Sequence, residues 1–212
     1  EEVNQTDAEK LEQAMNLNYE IRDISSVDKS TSNFVSDIHL PTLYVDGKEL
    51  ADLNAKIQGE YTQRFDTLKE QMQQADSNYS FNVTYTYYDN IVGVRKVVSL
   101  VIKQQIIDTD SQTVTSERIN TYNVDLSSKA TLTQADVLID ILGKDYKDLL
   151  KNQVRNYVVS QGLISENEYN YEITELENFY IQDSKFHIVF NTDIDNVVND
   201  DVGVLDIQID TQ

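Results

Sequence analysis

The sequence predicts an α+β domain, with antiparallel sheet built from a central meander plus C-terminal strands, and two main helices packed on one face. Three patterns carry that expectation. Leu50, Leu53, Ile57, Tyr61, Phe65, Leu68 and Met72 recur at spacings of three and four, the stripe of a long amphipathic helix. Phe81, Val83, Tyr85 and Tyr87 alternate with Asn82, Thr84, Thr86 and Tyr88, a strand with one wet face. The chain then closes on three strand-like segments, 179–181, 186–190 and 204–209, the last alternating Leu205, Ile207 and Ile209 with Asp206 and Gln208.

The other elements follow in order. Leu11 to Ile24 begins with helical spacing and turns to alternation, a short helix running into a strand. Residues 29–33 read as a polar connector, and 34–40 as a strand that stops at Pro41, the one proline of the chain. Asp46-Gly47 marks a turn. Asp89-Asn90 marks another, closing a hairpin whose return strand, 91–107, is apolar on both faces at Val97, Val98, Leu100, Val101 and Ile102 and therefore central. A third strand spans 114–124. Thr133 with Asp136 has the spacing of a helix start, and a second helix runs from Asp145, carrying Leu149, Leu150 and Val154, to near Gly162. Ser165 with Glu168 predicts one more short helix. The expected core includes Leu53, Ile57, Phe65, Leu100, Leu149, Val154, Phe186 and Ile188. Residues 1–33 read as a polar tether with a short helix and strand, and 34–212 as a single α+β domain.

Composition narrows the function. Over 212 residues, 17 basic side chains face 37 acidic ones, a net charge of −20. From Glu166 onward one lysine, Lys185, stands against twelve carboxylates. Such a surface repels nucleic acid and attracts cationic partners. With 40% hydrophobic residues and 13 tyrosines, the chain has the material for a core and is not an acidic disordered tail. The lack of cysteine removes disulfides, thiolate metal sites and cysteine nucleophiles together. No segment has the roughly 20 consecutive apolar residues of a membrane span. Since the sequence starts at Glu1, a leader or membrane anchor outside it is expected.

Chemistry-bearing motifs are few. Six glycines leave little material for phosphate-cradling loops, and no nucleophile elbow or dinucleotide fingerprint occurs. His39 and His187 each sit inside a strand pattern. Asp108-Thr109-Asp110-Ser111-Gln112 and the Asp193, Asp195, Asp200, Asp201 stretch resemble calcium loops, but neither has the glycine the turn needs. No cofactor or metal is expected. The segment from Asn191 to Asp201 is long for a hairpin loop and carries Asp193, Asp195, Asp200 and Asp201 around an apolar pair, Val197 and Val198. Together with the Tyr88-Asp89-Asn90 turn, it is the expected partner-binding surface. The competing reading folds Val197 and Val198 back onto the sheet and leaves the aspartates solvated.

Several segments, in a shared order, resemble the extracytoplasmic sensor domain of RsiV-type anti-sigma factors and related Gram-positive cell-surface proteins. They are Leu50-Ala51-Asp52-Leu53-Asn54, the hairpin ending Tyr88-Asp89-Asn90-Ile91, Thr121-Tyr122-Asn123-Val124-Asp125-Leu126 with Leu132–Leu138, and Asn178-Phe179-Tyr180 followed by 186–190. The order spans about residues 34–210. Relatives often carry Gly-Gly-Ala-His before the Tyr-Asn element, where this chain has neither glycine nor histidine across 110–117. The resemblance implies a non-enzymatic, extracytoplasmic domain at the surface of a Gram-positive cell. It implies a membrane anchor outside this sequence and a cationic protein partner such as lysozyme. The alternatives are a cell-wall hydrolase accessory or carboxylate-based enzyme around His187, and a surface lipoprotein domain with another ligand.

Overall fold

The computed structural model describes residues 5–211, with backbone alone over 26–30. It is α+β, with a mixed six-stranded sheet, a second sheet of three strands, and four helices. The elements are α1 (Asp7–Met15), β1 (Tyr19–Thr31), β2 (Phe34–Val45), β3 (Lys48–Glu49), α2 (Ala51–Met72), β4 (Tyr79–Val92), β5 (Arg95–Asp108), β6 (Thr113–Asp125), α3 (Gln134–Leu142), α4 (Tyr146–Ser160), β7 (Asn178–Gln182), β8 (Lys185–Asn191) and β9 (Val204–Ile209). The first sheet has the order β1-β2-β4-β5-β6, with β3 paired to β2, and the second β7-β8-β9. The chain divides into two compact units. One comprises Asn18–Thr86 with Ile102–Arg118; the other comprises the described residues up to Leu17, Tyr87–Val101, and Ile119 onward.

In the unit built on β1, β2 and α2, the expected strand over 34–40 continues through Pro41 to Val45. Pairing with β4 covers only Phe34–Ile38, so at Pro41 one edge of β2 has no ladder to interrupt, a place where proline is tolerated. Asp46 and Gly47, both at positive φ, then close the predicted two-residue turn into β3. Helix α2 carries the chain back. Its 22 residues cover about 33 Å at helical rise, comparable with the roughly 40 Å of β2, so β4 begins beside the start of β2 and runs parallel to it. The sheet is thus mixed, where local patterning predicted antiparallel pairing alone.

The α2 stripe packs as read at Ile57, Tyr61 and Phe65, but Leu53 is only half-buried and Asn54 takes the inner position. Its amide substitutes for a missing strand. Asn54 Oδ1 accepts from Leu43 N at 2.9 Å and Nδ2 donates to Leu43 O at 3.2 Å, past the point where β4 stops pairing with β2. Phe65 lies between Phe34 and Phe81, with ring centroids at 5.5 and 6.5 Å and near-parallel planes.

In the other unit, α1 starts at Asp7, capped reciprocally by Thr6 and Glu9, so the polar N-terminal stretch is ordered helix from there on. The Thr133–Asp136 capping box forms as expected. Helix α4 buries Tyr146, Leu150, Val154 and Val158, four residues apart; Leu149, expected in the core, falls off that stripe and is exposed. At its end Gly162 adopts positive φ, while its N–H bonds Val159 O and that of Leu163 bonds Val158 O, a Schellman motif. Ser165 and Glu168 do pair, at 2.6 Å, yet they close a single turn rather than open a helix. Phe179, Phe186, Ile188, Ile207 and Ile209 pack with these helical residues in one cluster.

A row of polar side chains binds β7 to neighbouring strand segments. Asn90 Nδ2 donates to Ile181 O at 2.7 Å, Ser99 Oγ accepts from Ile181 N at 3.1 Å, Asn123 Nδ2 donates to Phe179 O at 2.7 Å, and Thr121 Oγ1 accepts from Phe179 N at 2.9 Å. Ser99 also donates to Asn123 Oδ1 at 2.6 Å. Asn178 Oδ1 accepts from Thr121 N, and Asn191 bonds both backbone groups of Ile119, at 2.8 and 2.9 Å. These amides and hydroxyls do for the outer edge of β7 what a further strand would.

Replacing Phe65 with alanine removes the middle ring of the Phe34–Phe65–Phe81 stack. Urea denaturation should show a loss of about 3–5 kcal/mol.

Candidate partner-binding surface

Tyr88, Asp89 and Asn90 do not form the expected turn. All three lie in β4, and the chain reverses at Gly93, at positive φ. Asn90 is buried, with its amide also accepting from Ser184 N at 2.9 Å, so it serves the fold and offers nothing to a partner. Tyr88 is half-buried and stacked on Tyr180 at 5.7 Å. Asp89 is exposed beside a shallow 230 Å³ depression lined by Met15, Ile91 and Lys96.

The segment after β8 is tied down at both ends. Asn191 N donates to Asp195 Oδ2 at 2.6 Å. Thr192 Oγ1 donates to Gly203 O at 2.6 Å and accepts from Val202 N at 2.8 Å, while Asp201 Oδ1 accepts from Gly203 N. Val197 and Val198 are buried in the core cluster, which removes them from the predicted contact set and makes them the plug that holds the loop. Their apolar side chains gain more from the core than from water, which outweighs any loop preference. Asp195 is half-buried in its turn; Asp193, Asp200 and Asp201 are exposed, together with Ile194 and Val202.

The structure does not unite the two halves of the expected surface. Asn90 bonds Ser184, just before β8, whereas the loop leaves its far end at Asn191, a strand length of roughly 20 Å away.

A cluster that sequence reading did not assemble lies on β7–β9. His187 stacks on Tyr180 at 4.6 Å, and its Nδ1 lies 2.9 Å from Asp206 Oδ1. Tyr180 donates its hydroxyl to Asp206 Oδ2 at 2.5 Å. Burial, then the Asp206 carboxylate, push the Tyr180 hydroxyl well above the usual phenol range, so it remains a donor at any ordinary pH. The alternation of β9 places Asp206 on its outer face, but only pairing with β8 reveals that His187 lies beside it.

His39 lies between Asp23 and Asp37, at 3.0 and 3.2 Å, and the Asp23 hydrogen bond leads in raising its pKa above the usual imidazole range. The 108–112 turn uses its own carboxylates: Asp108 accepts from Asp110 N and Ser111 N, and Asp110 accepts from Asn78. Among the described residues no group of three or more histidine or acidic side chains could hold a metal ion, and no helix is long and apolar enough to cross a membrane.

The fold is that of a solved DUF3298 family protein, a domain of unknown function, from Pseudomonas aeruginosa PAO1. The likeness has a TM-score of 0.59 at 10% sequence identity and covers 91% of this chain and 90% of that one. A DUF3298 family member from Bacteroides fragilis NCTC 9343 aligns at 15% identity with a TM-score of 0.48, over 92% and 90% of the two chains. No protein-family model matches the sequence. No curated protein matches it either.

If Val197 anchors the loop while Asp200 only faces water, their substitutions should part company. Thermal or urea denaturation should show Val197→Ala losing about 2 kcal/mol and Asp200→Asn staying within about 0.5 kcal/mol of the parent.

Proposed function

We propose that this chain is a non-enzymatic binding module of the extracytoplasmic, RsiV-like kind, which receives a cationic protein of the lysozyme type on the 193–202 loop. What carries the reading is the loop's construction. Thr192, Asp195, Val197 and Val198 hold it from within, while the carboxylates of Asp193, Asp200 and Asp201 and the side chains of Ile194 and Val202 face outward. A loop fixed before binding loses less entropy on association. Apolar groups among carboxylates offer a cationic surface both contact and charge.

The motif order read from the sequence supports the sensor class, with anchoring by a segment outside this sequence. A net charge of −20 supports fast capture of a cationic partner, at a rate that falls as salt rises.

His187 beside Asp206 favours the alternative, a carboxylate-based enzyme. Against it, one carboxylate reaches the imidazole, whereas acid–base hydrolysis of a glycoside requires two flanking the scissile bond. The ring face is also taken up by Tyr180.

Calorimetric titration with lysozyme at low and moderate salt tests the proposal. Binding should be micromolar or tighter at low salt and weaken with added salt. It should weaken about ten-fold in the Asp200→Asn, Asp201→Asn double variant, where asparagine keeps the Oδ1 acceptor that Gly203 N uses. No heat at any salt would remove lysozyme as the partner.

A further inference from the structure

A groove of about 560 Å³ lies between α2 and the strands β5 and β6, wholly within the unit that holds α2. Helix α2 packs on β2, so its polar flank overlooks the part of the sheet face it does not cover. Gln63, Arg64 and Gln71 line the groove from the helix, and Gln104, Ser116 and Arg118 from the sheet. Arg64 is held in place: Nη1 donates to Gln104 Oε1 at 2.8 Å, and the guanidinium lies 4.9 Å from the ring centre of the buried Tyr61. Two of the five arginines of a strongly anionic chain thus meet in one groove, where Glu60 is the one carboxylate among the described lining residues.

Beside the groove runs the outer edge of β6, the last strand of its sheet. Along 119–125 that edge is closed residue by residue. Asn191 bonds Ile119 N and O, Asn178 accepts from Thr121 N, Leu132 N donates to Asn123 O, and Asp125 N donates to Ala130 O. By the two-residue alternation of a strand, the same outward positions continue at Glu117, Thr115 and Thr113, and among the described residues no strand pairs with them. In the segment Thr113-Val114-Thr115-Ser116 the first three residues are β-branched and none is charged; Glu117, the next outward position, is paired with Lys103 at 3.0 Å. The segment has no proline or lysine to blunt the edge, and Val114 is exposed. The opposite edge strand, β1, by contrast carries Glu20, Arg22 and Asp23.

We infer that β6, over residues 113–117, is a docking edge for an extended segment of another protein, added as a further strand, with an acidic side chain of that segment entering the groove beside Arg64 and Arg118. Main-chain bonds to the outward groups of Thr113, Thr115 and Glu117 supply affinity, and alternate side chains of the added strand fall on the face that presents Ser116 and Arg118. Guanidinium groups suit a carboxylate there by charge and fork geometry. The test of this inference does not depend on lysozyme.

The test takes the whole chain and two fluorescein-labelled hexapeptides, Ser-Val-Glu-Val-Ser-Thr and its lysine counterpart Ser-Val-Lys-Val-Ser-Thr, followed by fluorescence anisotropy. The glutamate peptide should bind at least ten-fold more tightly, and Arg64→Gln should erase that preference. Thr115→Pro, which removes one outward N–H, should abolish binding, while Thr115→Val should preserve it. A glutamate peptide N-methylated on alternate amides, in both registers, should not bind, a readout that leaves the protein untouched. Equal binding of the two peptides, no binding of either, or undiminished binding of both N-methylated peptides would overturn the inference. So would a concentration-dependent dimer in light scattering that Thr115→Pro dissolves, since the edge would then belong to a second copy.

Discussion

The polar row of Asn90, Ser99, Asn123 and Asn191, which are buried, with the half-buried Thr121 and Asn178, is the constraint on which the helix-rich unit depends. Each side chain meets a buried or half-buried main-chain group, or another member of the row. A satisfied bond of this kind contributes about 1 kcal/mol net, but removing one partner costs about 1–3 kcal/mol because the other stays desolvated. The row is therefore more a device of registration than of gross stability. It sets which residues of β7 face which residues of the neighbouring strand segments. Asn191 carries that registration to the surface: its amide closes the row at Ile119, and its backbone N–H anchors Asp195 in the loop. The outward carboxylates thus stand on a frame fixed by buried amides.

Segments with a strong local period were readable from the sequence. The α2 stripe, the Thr133–Asp136 cap, the Asp46-Gly47 turn and the alternation of β9 all depend on neighbours within a few positions. Most of what failed depended on partners distant in sequence. Whether β2 could pass through Pro41 rested on where β4 stops pairing, and the parallel β2–β4 pair rested on the length of α2. Asp89-Asn90 has turn chemistry, but Asn90 is required beside Ile181, so the reversal falls to Gly93. Leu149 and Leu150 are equally apolar, and only the four-residue spacing set by Tyr146 and Val154 selects the second. A polar residue inside an apolar strand run, as at Ser99 and Asn123, marks a place where a buried bond must be made.

The motifs behind the family resemblance turn out to be structural in this chain. Asn123 and Asn178 belong to the polar row, and Asp125 caps the turn after β6 by accepting from Ser127 N and Ser128 Oγ at 2.9 and 3.0 Å. Tyr180 builds the stack with Tyr88 and His187. These residues specify a fold, which accords with a shared architecture at 10% identity. The proposed contact surfaces, the 193–202 loop and the open end of β6, lie between the motifs. There the exposed positions can change without disturbing the frame, and specificity for a partner can be set by a few such side chains.

Native-state hydrogen exchange tests the central claim most directly, that the polar row locks β7 and thereby the loop's anchor. The amides of Phe179 and Ile181, which donate to Thr121 and Ser99, should exchange only through unfolding of the whole unit, as slowly as those of the β8–β9 ladder. Exchange at those two amides as fast as at exposed positions in the 193–202 loop would contradict it.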